Sequence, residues 1–432
     1  MKDRKLIIIS NDALVREDIE YLKTKPCMKE LIFGGSFVET LKTVYPSITY
    51  CCHTSMITGA YPNKTGVYNN EVDELGNTDW NWERKYIKVK TLIDAFKEKG
   101  KTTANVFWPV LGCDKNIDYN IPEYWSQPYD TSVIDAFKRM GSSDKVIEDI
   151  VKPNLYYLEG HERKHPFCDE FMLSCARDMI LKYQPDLLVV HPGNIDGLRH
   201  ERGIFNEYVT EQLDYTYYWI EKIIRALKET GNYENTDIIL TSDHGQMDIK
   251  RWCHPNILLR EMGLLEVDED GKPKNVKAYM KPVGGSAQIF ITDKENYQEI
   301  HDKIITEFTK YAKTGMYGIE RVYTKEEADR EEKLSGAFDI VLESDGYTSF
   351  GGKFTGDYYT TYDLSDYRAG RGTHGYLPDK GPQPCMICYG PDFKKGVTVA
   401  RRPTVDMVAT LKKIFDLDMP DVDGEAIDEI IN

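Results

Sequence analysis

The chain has 432 residues, 41% hydrophobic and 29% charged, the profile of a globular protein with room for a main domain and one sizeable insertion. Its 71 acidic and 55 basic residues leave a formal net charge of −16, which argues against a nucleic acid polymer or an anionic membrane surface as partner. A small anionic substrate stays open, because bound divalent cations invert a local field.

The start, MKDRKLIIISND, holds four apolar residues in a row, short of a signal peptide's apolar region. No stretch approaches the roughly 18 to 20 apolar residues of a membrane span. Nine scattered cysteines, an odd number, suit a reducing compartment, and the expected location is cytoplasmic. Oligomeric state has no readable signal.

Short apolar runs alternate with helical patterns, as in a mostly parallel sheet covered on both faces. Leu6 to Ser10 reads as the first strand. Thr91 to Lys99 reads as an amphipathic helix stopped by Gly100, and Thr103 to Phe107 as the next strand. Pro109 to Pro166 is aromatic and polar without clear periodicity and reads as a small excursion. A helix from Asp169 to Tyr183 leads into the strand Leu187 to His191, and one from Glu207 to Thr230 leads into Asp237 to Ser242. Beyond them the alternation loosens. YMKPVGGSAQIFIT and AFDIVLESD read as strands of another sheet, with a helix from Tyr297 to Tyr311 between them. The main fold resumes near Gly372, with a strand from Cys385 to Tyr389 and a helix from Thr404 to Phe415. The expected division is a main α/β domain over 1–253 and 373–432 with an inserted α+β cap over 254–372. Cys385 and Cys388 form a CxxC pair, but a second pair is missing and no redox helix follows, so they read as small residues of a buried strand.

Metal-ligating side chains recur just past strand ends, where open α/β sheets build their sites. Asp12 follows the first strand; Asp196 and His200 follow Leu187 to His191; Asp243 and His244 follow Asp237 to Ser242; His374 lies where the main fold resumes. Three carboxylates and three imidazoles form a donor set that zinc accepts, too many for one tetrahedral ion and suited to two. Thr49 precedes a small-residue helix pattern that ends at Gly59. It reads either as a helix cap or as a nucleophile at a helix start, where free N–H groups attract phosphate.

These residues, with ISNDALVREDIEYL, PSITYCCHTSMITGAYP, TSDHGQM and GTHGYLPDKGPQPCMICYGP, resemble the alkaline phosphatase superfamily. Within it they are most similar to the nucleotide pyrophosphatase/phosphodiesterase family. The resemblance implies an alkaline-phosphatase-like three-layer sandwich with the inserted cap. It implies two zinc ions, one on Asp196, His200 and His374 and one on Asp12, Asp243 and His244, the latter shared with Thr49. It places Asn70, 21 positions after the nucleophile, on a phosphoryl oxygen, and Tyr50 against a nucleobase. The implied substrate is a small phosphorylated molecule of nucleotide type, cleaved through a phosphothreonine on Thr49. Where the family has Phe-Pro-Asn the chain has Tyr50, Cys51 and Cys52, and His191 and the run Lys64-Thr65-Gly66 also depart from its pattern. Those departures bear on the substrate and leave open a phosphomonoesterase, a phosphonoacetate hydrolase, or a non-catalytic zinc protein. Trp80, Trp82, Trp108 and Trp125 read as packing residues.

Overall fold

A computed structural model describes residues 4–77, 79–363 and 370–432. The main sheet uses β1 (Lys5–Ser10), β2 (Ser36–Lys42), β3 (Thr103–Val106), β4 (Tyr119–Ile121), β5 (Leu187–Val190), β6 (Thr236–Thr241), β7 (Met386–Tyr389) and β8 (Val397–Pro403). Their order is β8-β2-β7-β6-β1-β5-β3-β4. All run parallel except β7, which pairs antiparallel with both β2 and β6.

The helices that matter here are α1 (Pro26–Gly34), α2 (Thr49–Thr58), α3 (Leu92–Glu98), α4 (Phe167–Tyr183), α5 (Asn194–Arg202), α6 (Glu207–Glu229) and α7 (Asp406–Phe415). Alternation along β1 sends Ile7 and Ile9 into one core with α1, α4 and α6, and Leu6 and Ile8 into another with α2, α3 and α7. The result is helix, sheet, helix: three layers. Cys385 and Cys388 fall into these two different cores, so the CxxC pair is packing on opposite faces of the sheet, Cys385 just before β7 and Cys388 within it. All nine cysteines are unpaired. Among the described residues no helix is long and apolar enough to cross a membrane.

A second, four-stranded antiparallel sheet lies over the carboxyl end of the first, built from Ala278–Val283, Ser286–Ile291, Ile340–Ser344 and Ile319–Thr324. Helix Tyr297–Thr314 covers it through Ile300, Ile304 and Phe308. Two readings need adjustment. Strand Arg251–Cys253, expected in the main domain, pairs with Thr348–Phe350 and Tyr359–Thr360 of the cap stretch. Tyr119–Ile121, inside the presumed excursion, is the edge strand of the main sheet. Part of the expected cap, 364–369, lies outside the described residues.

Candidate active site

β1 runs out into Asp12, β5 into His191 and the start of α5, and β6 into Asp243 and His244. α5 carries Asp196 and His200 four residues apart, hence on one face. Gly284 and Gly285 turn the cap hairpin against His374, whose carbonyl accepts the Gly285 N–H at 2.7 Å.

All six expected ligands lie in one region, but the tight groups are Asp12, Asp243 and His244 and, against the expected set, Asp196, His374 and His244, with His200 joined through Asp196. His244 Nε2 lies 3.4 Å from Asp12 Oδ1 and 3.2 Å from Asp243 Oδ2. Asp196 Oδ2 is 3.4 Å from His200 Nε2, and its Oδ1 is 3.9 Å from His374 Nε2. The His244 and His374 rings stack at 3.9 Å, which sets the two groups side by side. Each ligand imidazole donates Nδ1–H to a backbone carbonyl: His200 to Gly372 at 2.7 Å, His374 to Ser47 at 3.1 Å, His244 to Gly245 at 3.2 Å. That fixes the tautomer and leaves each Nε2 lone pair facing the cluster.

The donor set fits cations. Asp12 Oδ1 and Asp243 Oδ2 are buried and accept no hydrogen bond from the described residues, a penalty that a bound ion removes. Burial, with Asp196 and Asp243 beside it, lifts Asp12 well above the usual carboxylate range. Burial pushes His244 down to about 4 and His374 down to about 3, so both rings are neutral and able to ligate. At Asp196 burial works upward, but the His200, His374 and His244 rings outweigh it and bring the carboxyl to about 2.

Thr49 is the first residue of α2, and the capping position before it is held by Ile48. Its Oγ1 lies instead 3.2 Å from His244 Nε2, among the ligands. The cap alternative is therefore excluded. Asn70 Oδ1 accepts the Tyr50 N–H at 3.0 Å, so the cavity is left with the Asn70 NH2 as a donor.

The cavity measures about 870 Å³. Asp12, Thr49, Asn70, Asp196, His200 and His374 line it, while Asp243 and His244 lie behind with no exposed surface. Trp80 and Trp125, read as packing, are part of its wall; Trp82 stacks behind Trp80 and Trp108 is fully buried. Tyr50 corrects the opposite way. It is buried among Trp80 and Trp82 and does not line the cavity, so in this structure it offers no face to a base. Lys64 pairs with Asp423 and also stays out of the cavity.

His53 was missed. Its Nδ1 is 2.9 Å from the Thr49 carbonyl and 3.4 Å from Asp243 Oδ2, and its Nε2 is 2.9 Å from Ser10 Oγ. Four residues after Thr49 on one helix, it was legible as a neighbour of the nucleophile. His191, where the family pattern places an aromatic, has Nε2 3.2 Å from Asp12 Oδ2 and packs on His53.

A sequence model described as type I phosphodiesterase / nucleotide pyrophosphatase matches residues 6–377. The chain is 24% identical over 271 residues to ectonucleotide pyrophosphatase/phosphodiesterase family member 1 of Mus musculus, covering 57% of this chain and 25% of that protein. It thus spans a quarter of that relative's length. A bis(5'-adenosyl)-triphosphatase of Mus musculus is 24% identical over 440 residues, covering 96% of this chain and 78% of the relative. Murine ectonucleotide pyrophosphatase/phosphodiesterase 5 superposes with a TM-score of 0.68 at 17% identity, covering 99% of this chain and 100% of that one. An inactive form of that protein, solved in complex with AMP, matches equally. The α/β fold with its large mixed sheet is shared with these alkaline-phosphatase-like structures.

Proposed function

Because the chain belongs to the type I phosphodiesterase / nucleotide pyrophosphatase family, we propose that it hydrolyses phosphodiester or pyrophosphate bonds of small nucleotide-type substrates through a covalent phosphothreonine on Thr49. The observation that carries this reading is the Thr49 hydroxyl, free of any capping role and 3.2 Å from His244 Nε2.

Asp196, His200 and His374 would hold one divalent cation and Asp12, Asp243 and His244 another, zinc by the mixed oxygen and nitrogen donors, supplying Lewis acidity that activates a hydroxyl and offsets phosphoryl charge. Thr49 Oγ attacks phosphorus as the bond to the leaving oxygen breaks; water then attacks the phosphothreonine and returns the hydroxyl. The Asn70 NH2 and the Thr49 N–H stabilise charge on the phosphoryl oxygens. His53, on the Thr49 carbonyl and against Asp243, holds the first turn of α2 in place.

Cavity size and the Trp80 and Trp125 walls support a substrate as large as a nucleotide. A phosphomonoester brings a second phosphate charge, and Lys64, which follows the nucleophile helix in sequence, is held by Asp423 instead. That favours a diester. Nine unpaired cysteines, eight of them buried, support a reducing compartment.

Thr49→Ala is expected to keep its metal content and to lose hydrolysis of p-nitrophenyl thymidine monophosphate by about a thousandfold or more. Parent-like turnover in a metal-loaded variant would remove Thr49 as nucleophile. A clear preference of the parent for p-nitrophenyl phosphate or phosphonoacetate would overturn the diesterase reading.

A further inference from the structure

The stretch before α4 reaches the cavity wall at His165. The side chain of His165 is 28% exposed, while that of Asp169, one helical turn on, is fully buried. His165 Nδ1 donates to Asp169 Oδ2 at 2.5 Å. The other carboxylate oxygen accepts the Gly193 N–H at 2.7 Å and the Asn194 N–H at 3.0 Å, where α5 begins. Asp169 thus ties His165 to the helix that carries Asp196 and His200. Gly193 and Gly197 leave the space the ring occupies: a Cβ on Gly197 would come within 2.7 Å of His165 Cδ2.

With Cys168 the pair could be mistaken for a metal cluster. Both Asp169 oxygens already accept hydrogen bonds, and burial raises the Cys168 thiol above its ordinary range. The arrangement is a hydrogen-bonded pair with one open end, His165 Nε2. Burial works against charge on this ring, but Asp169 and Cys168 beside it together outweigh burial and hold the ring well above the ordinary imidazole range.

Thr49 stands beside His244, Asp12 and Asp243. An in-line displacement expels the leaving group on the side opposite the nucleophile, toward Asp196 and His200 on α5. His165 is packed on that same helix. Resting on the hydrolase reading above, we propose that His165 is a specificity-determining residue whose Nε2–H binds an anionic leaving group, the second phosphate of a nucleoside di- or triphosphate, and that Asp169 positions it. Among the described residues the only other cationic side chain on the cavity wall, Lys353, is exposed.

The discriminating variant is His165→Asn, because an asparagine amide can still donate to Asp169 while the Nε2 position is deleted. In the metal-loaded protein, kcat/KM for ATP is expected to fall about tenfold, mainly through KM, the scale of a lost charge-assisted hydrogen bond. For p-nitrophenyl thymidine monophosphate, whose leaving group carries no phosphate, the fall should stay under about threefold. Equal losses on both substrates, or none on ATP, overturn the proposal. If the parent turns over neither compound, the hydrolase reading fails by itself. Calorimetry then decides His165 separately: the parent should bind ADP more tightly than AMP, and His165→Asn should lose that margin. An unchanged margin would sink the assignment.

Discussion

Glu123 lies on the cavity wall, and its Oε2 is buried without a hydrogen-bond partner among the described residues. Burial lifts this carboxyl from its ordinary 4.5 to about 8, outweighing the lowering influence of nearby Tyr50 and Arg163. The group therefore stays protonated in the folded chain at neutral pH, while the unfolded chain loses the proton above pH 4.5. In that window the unfolded state binds fewer protons than the folded one. Stability thus falls as pH rises from 4.5 toward about 8, by roughly 1.4 kcal/mol per pH unit at most, and levels off beyond. Glu123→Gln removes the titrating group and keeps a hydrogen-bonding side chain. Its stability relative to the parent should rise between pH 6 and pH 8.5, by roughly 1 to 3 kcal/mol in urea titrations. A difference independent of pH would mean that the carboxyl is already ionised.

β1, β5 and β6 were legible because central parallel strands are buried on both faces and appear as unbroken apolar runs. Their carboxyl ends carry Asp12, the approach to Asp196 and His200, and Asp243 with His244, so most of the site was legible with them. β4 was not: three residues, Tyr119–Ile121, are too few to show a period. β8, with exposed Arg401 and an edge position, carries a polar sequence that reads as a loop. The reversed direction of β7 is also silent in sequence, because it depends on how the chain returns from the cap. Tyr50, Trp80 and Trp125 show the same limit among side chains, since aromatic residues suit a core and a pocket wall alike. Where the cap meets the main fold, Gly375 has φ of +89°, and a Cβ there would sit 1.8 Å from the Val283 carbonyl oxygen. Both the backbone conformation and the backbone contact resist a side chain. Gly375→Ala should cost about 3 kcal/mol or more in denaturant unfolding and lower the metal content per chain, because His374 is the preceding residue. A parent-like midpoint with full metal content would show that the cap hairpin yields.

Across the whole molecule a surplus of acid, −16 in net charge, surrounds a site that itself holds three carboxyl groups, the buried Asp12 and Asp243 and the partly exposed Asp196. Hydrophobic layers on both faces of the sheet hold these groups together, yet nothing in those layers neutralises them. The imidazoles favour an ionised Asp196, but burial presses His244 and His374 toward the neutral form at neutral pH, so they leave the acidic charge largely uncompensated. On the proposed assignment divalent cations would supply the missing positive charge, and an ion that binds the folded chain alone adds stability by mass action. On the proposed assignment each ion contributes about 2.7 kcal/mol when free metal is a hundred times its dissociation constant. Chelation should therefore lower Tm by several degrees, roughly 2 to 4 °C per kcal/mol in large domains, and zinc should restore it. Magnesium should restore much less, because it prefers oxygen ligands in octahedral geometry and the site offers three imidazoles. Differential scanning fluorimetry of parent, chelated and reloaded protein reads all three outcomes. A Tm indifferent to chelation would mean that the six side chains tolerate one another without ions. Full rescue by magnesium would instead assign the site to a hard cation.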